Sequence, residues 1–358
     1  MSDVFDDFLN AMSGLSKKSE SKKSELNFKV FKGTDLSLAS HVPFGVPSRI
    51  PQLDLSLGRP GYPAGRIVEL YGYEASGKTT SALAAIAAAQ RKGGFCLWID
   101  AEFAWSPEWA ITNGVDPDRV MVAEADTIES ILNIQSKALD AHEKINDSNT
   151  PFVMVVDSIT AVPSEESIDK GFGEVQKIGT DARAIRNGMR KLTKEIAEHN
   201  ALALYINHST AKTNAMAFGK QSQSAGGHAL KFYSSLRIEF TAGGNIYGEG
   251  TGMDRVREGM KVFIQVEKNK VMKTGRPKIE CHLLNNGFNL YENLFDALLD
   301  IQEIERINTQ TYLFKETQTQ MRRSEWKSFV DNHSEGIDKL YEWFLKKAIE
   351  KEYIKAYR

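Results

Sequence analysis

Residues 72–79 read Gly72-Tyr73-Glu74-Ala75-Ser76-Gly77-Lys78-Thr79, the pattern GxxxxGK[ST], and what flanks them restricts the fold more than the pattern itself does. Residues 67–71 are an apolar run of strand length, and residues 80–90 are alanine-rich and helical. A loop joining a buried strand to a helix N-terminus turns several backbone N–H groups and the helix dipole toward one point, where an anion is stabilised. On this reading Gly72, Glu74, Ser76, Gly77 and Thr80 surround a triphosphate, and Lys78 reaches its β- and γ-phosphates as a point charge. The Thr79 hydroxyl completes the coordination of Mg2+.

Further apolar runs of buried-strand length at 95–100, 152–157 and 201–207 alternate with helical stretches such as 128–141 and 182–199. That alternation predicts an α/β fold with a mainly parallel sheet covered on both faces. Runs at 232–240, 261–269 and 278–284 predict an antiparallel extension of the sheet. From 43 to 63, prolines and glycines predict irregular chain. Beyond residue 285 the chain reads as helical and aromatic, with Trp326, Phe329, Tyr341, Trp343 and Phe344 enough for a second small core.

A chain of 358 residues exceeds what one core usually holds. Residues 45–284 are assigned to the ATPase-type core and 285–358 to a small α+β C-terminal domain. Residues 1–44 form an amphipathic helix (4–15), a serine- and lysine-rich tether (16–25) and an edge strand (27–32), suited to docking on the core or another subunit. The two cysteines, Cys96 and Cys281, suggest neither a disulfide framework nor a zinc cluster, so a reducing cytoplasm fits. No run approaches a membrane span and the N-terminus is acidic, so neither secretion nor insertion is expected.

In open α/β sheets ligands bind beyond the carboxyl ends of strands, so polar residues that close apolar strands are the candidates. Asp157 ends one such run and can hold Mg2+ through water; alone it reads equally as a cap. Glu102 follows the run ending at Asp100 and is the candidate base for an attacking water, against the reading of a surface loop glutamate. Trp109, behind Pro107, can cover a purine base or pack in the core. His208 ends a third strand, where it can sense a γ-phosphate or serve as a hydrogen-bonded structural residue.

The net charge of −2, from 45 basic and 47 acidic residues, does not advertise nucleic-acid binding. Residues 170–231, however, hold six more basic than acidic residues. Within them 171–180 and 210–227 are polar, rich in glycine and serine, and suited to ordering on a phosphodiester backbone. A solvated helix face with loops explains the charge equally well.

Taken together, Gly65-Arg66-Ile67-Val68-Glu69, Asp100-Ala101-Glu102, Val155-Val156-Asp157-Ser158, Gly226-Gly227-His228-Ala229-Leu230-Lys231-Phe232-Tyr233 and Lys268-Asn269-Lys270 resemble the signature segments of the RecA recombinase family in order and spacing. The segment Gly287-Phe288-Asn289-Leu290-Tyr291 is similar to the entrance of its C-terminal domain. The resemblance covers about residues 45–345. It implies an ATP- and Mg2+-dependent recombinase that forms a homo-oligomeric helical filament on single-stranded DNA, pairs it with homologous double-stranded DNA and exchanges strands in recombination and repair. The implied setting is the cytoplasm of a bacterial or phage-infected cell.

The same resemblance makes 171–180 and 210–227 the two DNA-binding loops, with Lys177, Ile178, Gly179, Lys212, Lys220, Gly226 and Gly227 among their residues. Arg183, Arg190 and Lys191 would then meet phosphates, and Ile178 would be a wedge between bases. Lys268 and Lys270 would reach the ATP of the neighbouring protomer and act in catalysis beside Glu102, Lys78 and His208. His208 stands where bacterial members carry glutamine and is similar to UvsX-like phage members. Basic residues of the family's secondary duplex site read here as Thr241, Ala242, Phe263 and Gln265. Two other readings use the same residues. One is a ring helicase of this fold, which would offer an arginine in trans where this chain has Lys268 and Lys270. The other is a nucleotide-gated DNA-binding scaffold that exchanges nothing.

Overall fold

A strand that is apolar on both sides needs cover on both sides, and the central strands here are of that kind. In the computed structural model, which describes residues 42–145, 150–168, 179–211, 222–224, 229–248, 255–272, 278–333 and 335–357, alternate residues of each central strand enter different cores. Val68, Leu70, Cys96, Trp98, Val153 and Val155 join one cluster, while Ile67, Leu97, Ile99, Met154 and Val156 join the other. The N-terminal helix, tether and edge strand read from the sequence lie outside the described residues. So do Lys177, Ile178, Lys212, Lys220, Gly226 and Gly227.

The parallel strands are β1 (Arg66–Gly72), β2 (Phe95–Asp100), β3 (Met121–Glu124), β4 (Phe152–Asp157) and β5 (Leu202–Ala211). The extension is β6 (Leu236–Tyr247), β7 (Arg257–Asn269), β8 (Ile279–Leu284) and β9 (Gly287–Phe288). Their order across the sheet is β9-β8-β7-β6-β1-β5-β4-β2-β3. β6 pairs parallel with β1, and β7, β8 and β9 then continue antiparallel. The helices that cover it include α1 (Lys78–Arg91) on one face, and α2 (Ile128–Glu143) and α3 (Thr180–Glu198) on the other.

Two expectations need correction. Residues 43–63 are not irregular: Pro51–Leu57 is a helix, because Pro51 occupies a first-turn position where no N–H is needed and Gly58 closes the helix with φ 71°. Residues 232–240 are not one strand. Ala229–Tyr233 is a short helix, the Ser234 hydroxyl bonds back to the Leu230 carbonyl, and β6 begins at Leu236. Beyond residue 285 the helices are joined by strands, as the α+β assignment expects: Ile304–Arg306, Thr311–Phe314 and Thr319–Arg322 form a three-stranded antiparallel sheet.

That sheet packs with the helices Leu290–Asp300, Trp326–His333 and Ile337–Glu350 around buried Trp326, Phe295 and Phe344. The third core is tied to the first by a buried polar contact. Tyr341 donates to Asp54 Oδ2, and the Ser48 amide donates to Oδ1 at 3.2 Å. Arg49 pairs with Asp338 at 2.5 Å beside them.

Burial pushes the Asp54 carboxyl from 3.8 up to about 7, although Tyr341 and Ser48 pull it down. Between those two values the folded protein holds a proton that the unfolded chain has released, so its stability falls as pH rises through that window. Asp54→Asn has no such proton to lose. Thermal melts from pH 4 to pH 8 are expected to show a decline in the parent that is flattened in the variant.

Candidate nucleotide and nucleic-acid site

The phosphate loop takes its shape from close approach. A Cβ on Gly72 would stand 2.1 Å from the Phe240 carbonyl oxygen, so only glycine lets β1 end against β6 here. Gly77 has φ 92°, and its missing side chain leaves room for Leu283 and Phe288. The loop is braced from within by Ser76, whose hydroxyl donates to the Tyr73 carbonyl at 2.7 Å. Lys78 is buried and donates to the carbonyls of Gly72 at 3.1 Å and Tyr73 at 2.7 Å. Burial lowers its pKa, while Asp157, Glu102 and Glu74 act to keep it charged.

Around that ammonium stand the strand ends. Thr79 Oγ1 donates to Asp157 Oδ2 at 3.3 Å. Burial first, and Glu102 next, push Asp157 up to about 7. A carboxylate raised by its neighbours is one that a cation stabilises, and a hydroxyl beside it completes an oxygen donor pair of the kind Mg2+ takes with triphosphate oxygens and water. The residues therefore fit the ion.

Glu102 and His208 come from strands separated by β4, and their side chains meet in front of its end at 2.9 Å. Burial opposes ionisation of Glu102. Hydrogen bonds from His208 and Ser158 and the charges of His208 and Lys78 outweigh it, so its carboxyl lies below the ordinary range. Asp100 shapes the turn that presents it. Its carboxylate accepts from the backbone amides of Glu102 at 3.3 Å, Ala104 at 3.1 Å and Trp105 at 2.8 Å.

Trp109 lies on the helix Pro107–Thr112, which is capped by Ser106 at 3.1 Å. It packs partly on the first core, and it also borders a cleft of about 290 Å³. Ala75, Gly77 and Thr80 form the near wall of this cleft, and Arg257, Met260 and Asn285 form part of the far one. Trp109 thus packs against the core and stands at the border of the cleft where a base would lie. The far wall was not among the sequence candidates, because Arg257 and Met260 at the start of β7 and Asn285 just after β8 belong to no motif; only the pairing of Gly259 with Leu284 brings them opposite the loop.

Glu74 is exposed at the mouth of the loop. Lys268 and Lys270 stand away from the loop of their own chain. Lys268 Nζ donates to the carbonyls of Lys231 at 2.7 Å and Phe232 at 3.1 Å, and Lys270 Nζ to that of Phe232 at 3.5 Å. Both ammonium groups therefore meet carbonyls of the short helix Ala229–Tyr233. Burial, Lys270 and Arg237 bring Lys268 down to about 8.

α3 begins at Gly179, whose φ of 88° makes glycine the fitting residue there. Its apolar face, Ile185, Met189, Leu192 and Ile196, is buried. Arg183, Arg186, Arg190 and Lys194 fall on one exposed stripe, with Lys191 beside it. Arg186 on this stripe was not singled out from the sequence, although its spacing of three and four from Arg183 and Arg190 carries the signal. Arg183 pairs with Glu166 at 3.3 Å in an exposed, weak contact, and Lys191 reaches the half-buried Glu195 at 3.3 Å. Among the described residues no helix is long and apolar enough to cross a membrane.

Comparison with known proteins agrees with this geometry. The family model for the RecA N-terminal domain matches residues 38–286. The chain is similar to "Protein RecA" of Francisella tularensis subsp. novicida, subsp. tularensis and subsp. holarctica. Each is 36% identical over 281 residues, which is 77% of this chain and 74% of the relative.

Proposed function

The chain belongs to the RecA family, and from that premise we propose that it is a DNA-dependent ATPase that forms a helical filament on single-stranded DNA and exchanges strands with a homologous duplex. The observation that carries this reading is the Glu102–His208 contact, set between the phosphate loop and a strand that runs on toward residues 212–221. One residue pair thereby touches both the hydrolytic centre and the route to a candidate DNA loop.

In this proposal the loop amides and Lys78 bind the triphosphate, and Trp109 covers the base in the cleft. Thr79 and Asp157 hold Mg2+, which when bound supplies charge neutralisation for the phosphates. Glu102 accepts a hydrogen bond from the attacking water and aims it in line. His208 holds Glu102 until a γ-phosphate competes for the imidazole, so occupancy of the site changes the end of β5. Lys268 and Lys270 leave their carbonyl partners to meet ATP of the next protomer. A contact of that head-to-tail kind that does not close on itself builds an open helix.

Hydrolysis measured with and without single-stranded DNA, beside joint-molecule formation from homologous DNA, tests the reading. Stimulation by the single strand together with joint molecules supports it. Absence of stimulation removes it, and stimulation without joint molecules leaves a DNA-gated ATPase that does not exchange strands.

Two variants test its parts. Trp109→Ala should raise KM for ATP by about tenfold at nearly unchanged kcat, since stacking on a base contributes about 1 to 3 kcal/mol and acts on binding. Equal loss in kcat would assign Trp109 to the core instead. Arg190→Ala should weaken single-strand binding across all sequences and reduce the slope of log affinity against log salt by about 0.7, the share of one released counterion. Titrations at several salt concentrations read that slope, and an unchanged slope takes Arg190 out of the interface.

A further inference from the structure

Within the sheet, behind the strand ends that form the phosphate site, lies a second polar assembly that this site does not use. Glu69 on β1 is fully buried, and its carboxylate accepts from Arg237 on β6 and from Asn207 Nδ2 on β5, the latter at 2.9 Å. Arg237 is itself nearly buried, with its guanidinium 4.5 Å from the centre of the Tyr71 ring. A buried ion pair repays its desolvation only when its remaining hydrogen-bonding capacity is satisfied, and Asn207 supplies part of that for Glu69.

The other end of the same amide faces the hydrolytic centre. Asn207 Oδ1 accepts from Thr160 Oγ1 at 3.2 Å, and Thr160 Oγ1 lies 3.4 Å from the Ser158 hydroxyl. A threonine hydroxyl has one proton, and here it goes to Asn207. Ser158 therefore donates either to Thr160 or to Glu102, whose carboxylate it helps to stabilise. The residue after Asn207 on β5 is His208, which meets Glu102 directly. An amide suits this position because it offers a donor to one side and an acceptor to the other. Aspartate would set a like charge against Glu69, and leucine would leave Glu69 and Thr160 each short of a partner.

We propose that Asn207 is a positioning residue that, through Thr160 and Ser158 on one side and His208 on the other, fixes the hydrolytic Glu102 to the rigid Glu69–Arg237 pair. The inference rests on the proposed role of Glu102. It places the accuracy of the hydrolytic geometry in a fully buried amide. A coupled set of hydrogen bonds of this kind has few alternative arrangements: with the Thr160 proton on Asn207, the two that remain differ in whether Ser158 donates to Thr160 or to Glu102.

Thr160→Val, Thr160→Ser and Asn207→Ala, each measured for kcat, KM, binding of a fluorescent ATP analogue and Tm, test it. Thr160→Val should lower the DNA-stimulated kcat roughly tenfold, the usual size of loss when a partner behind a reacting group is removed, with analogue binding and Tm close to the parent. Thr160→Ser keeps the donor and should restore kcat. Asn207→Ala should lose more, and if it does not fold the threonine pair decides. Thr160→Val at the parental kcat, or Thr160→Ser falling with it, overturns the inference while hydrolysis by the parent stands. A parent that hydrolyses no ATP on single-stranded DNA removes the proposed function and the inference together.

Discussion

Lys78→Ala is expected to lower ATP affinity by roughly 30-fold to a few thousand-fold, because truncating one partner of a buried, hydrogen-bonded charge pair costs about 2 to 5 kcal/mol and each 1.4 kcal/mol is tenfold. The structure says where that loss arises. Lys78 bonds the carbonyls of Gly72 and Tyr73, and on the proposed reading these are the contacts it would exchange for phosphate oxygens. Asp157, Glu102 and Glu74 all act on it electrostatically. Without the ammonium, those carboxylates face a bound polyphosphate with one fixed positive charge fewer between them, so the variant loses an attraction and keeps the repulsions. Calorimetric titration with ATP and Mg2+ reads the loss, and a melt without nucleotide checks that the fold is intact. Affinity within a few-fold of the parent would falsify the assignment of residues 72–79 as the phosphate site.

How much of this site could be read beforehand depends on how local each part is. The loop, its strand and its helix are contiguous, so their chemistry and their geometry are written in one stretch, and the structure places Lys78 and Thr79 where the spacing predicts. Asp157, Glu102 and His208 were each legible as the polar close of an apolar run. Their meeting was not, because it depends on β4 lying between β5 and β2, and spatial strand order is not a property of any single segment. The far wall of the cleft, Arg257, Met260 and Asn285, sits on the antiparallel extension some 180 residues further along the chain and has no pattern of its own.

Punctuation misled in one place and helped in another. Pro51 and Gly58 read as breakers, yet they begin and end a helix, since the same two residues that interrupt regular structure inside it are the fitting ones at its ends. The glycines of the phosphate loop gave no such ambiguity, because Gly72 and Gly77 are demanded by a carbonyl 2.1 Å from a would-be Cβ and by a φ of 92°. The resemblance to the RecA family carried the remaining step, from a nucleotide site to a DNA-dependent one, and the family membership now shown supports that step without testing Lys268 or Lys270 in trans.

Glu102→Gln separates binding from chemistry most sharply. The amide keeps the size of the side chain and can still meet His208, but it bears no charge and is a poor proton acceptor. A positioned acid–base group contributes about 10²- to 10⁴-fold, so kcat should fall within that range while ATP affinity holds or rises, one negative charge near the γ-phosphate having been removed. Because phosphoryl transfer runs through a loose transition state, the carboxylate acts more by aiming the water than by taking its proton early, which suits a group whose pKa lies below the ordinary glutamate value of 4.5. The sign of the pH dependence follows. Glu102 is already ionised at neutral pH, so the limb of the kcat profile that belongs to it should lie below pH 4.5, and no gain should appear on raising pH above 7 from this residue. Single-turnover hydrolysis with the DNA-bound protein reads both quantities. A variant that loses ATP affinity in step with kcat would show that Glu102 holds the nucleotide rather than the water, and the hydrolytic base would have to be sought elsewhere on the edge of the sheet.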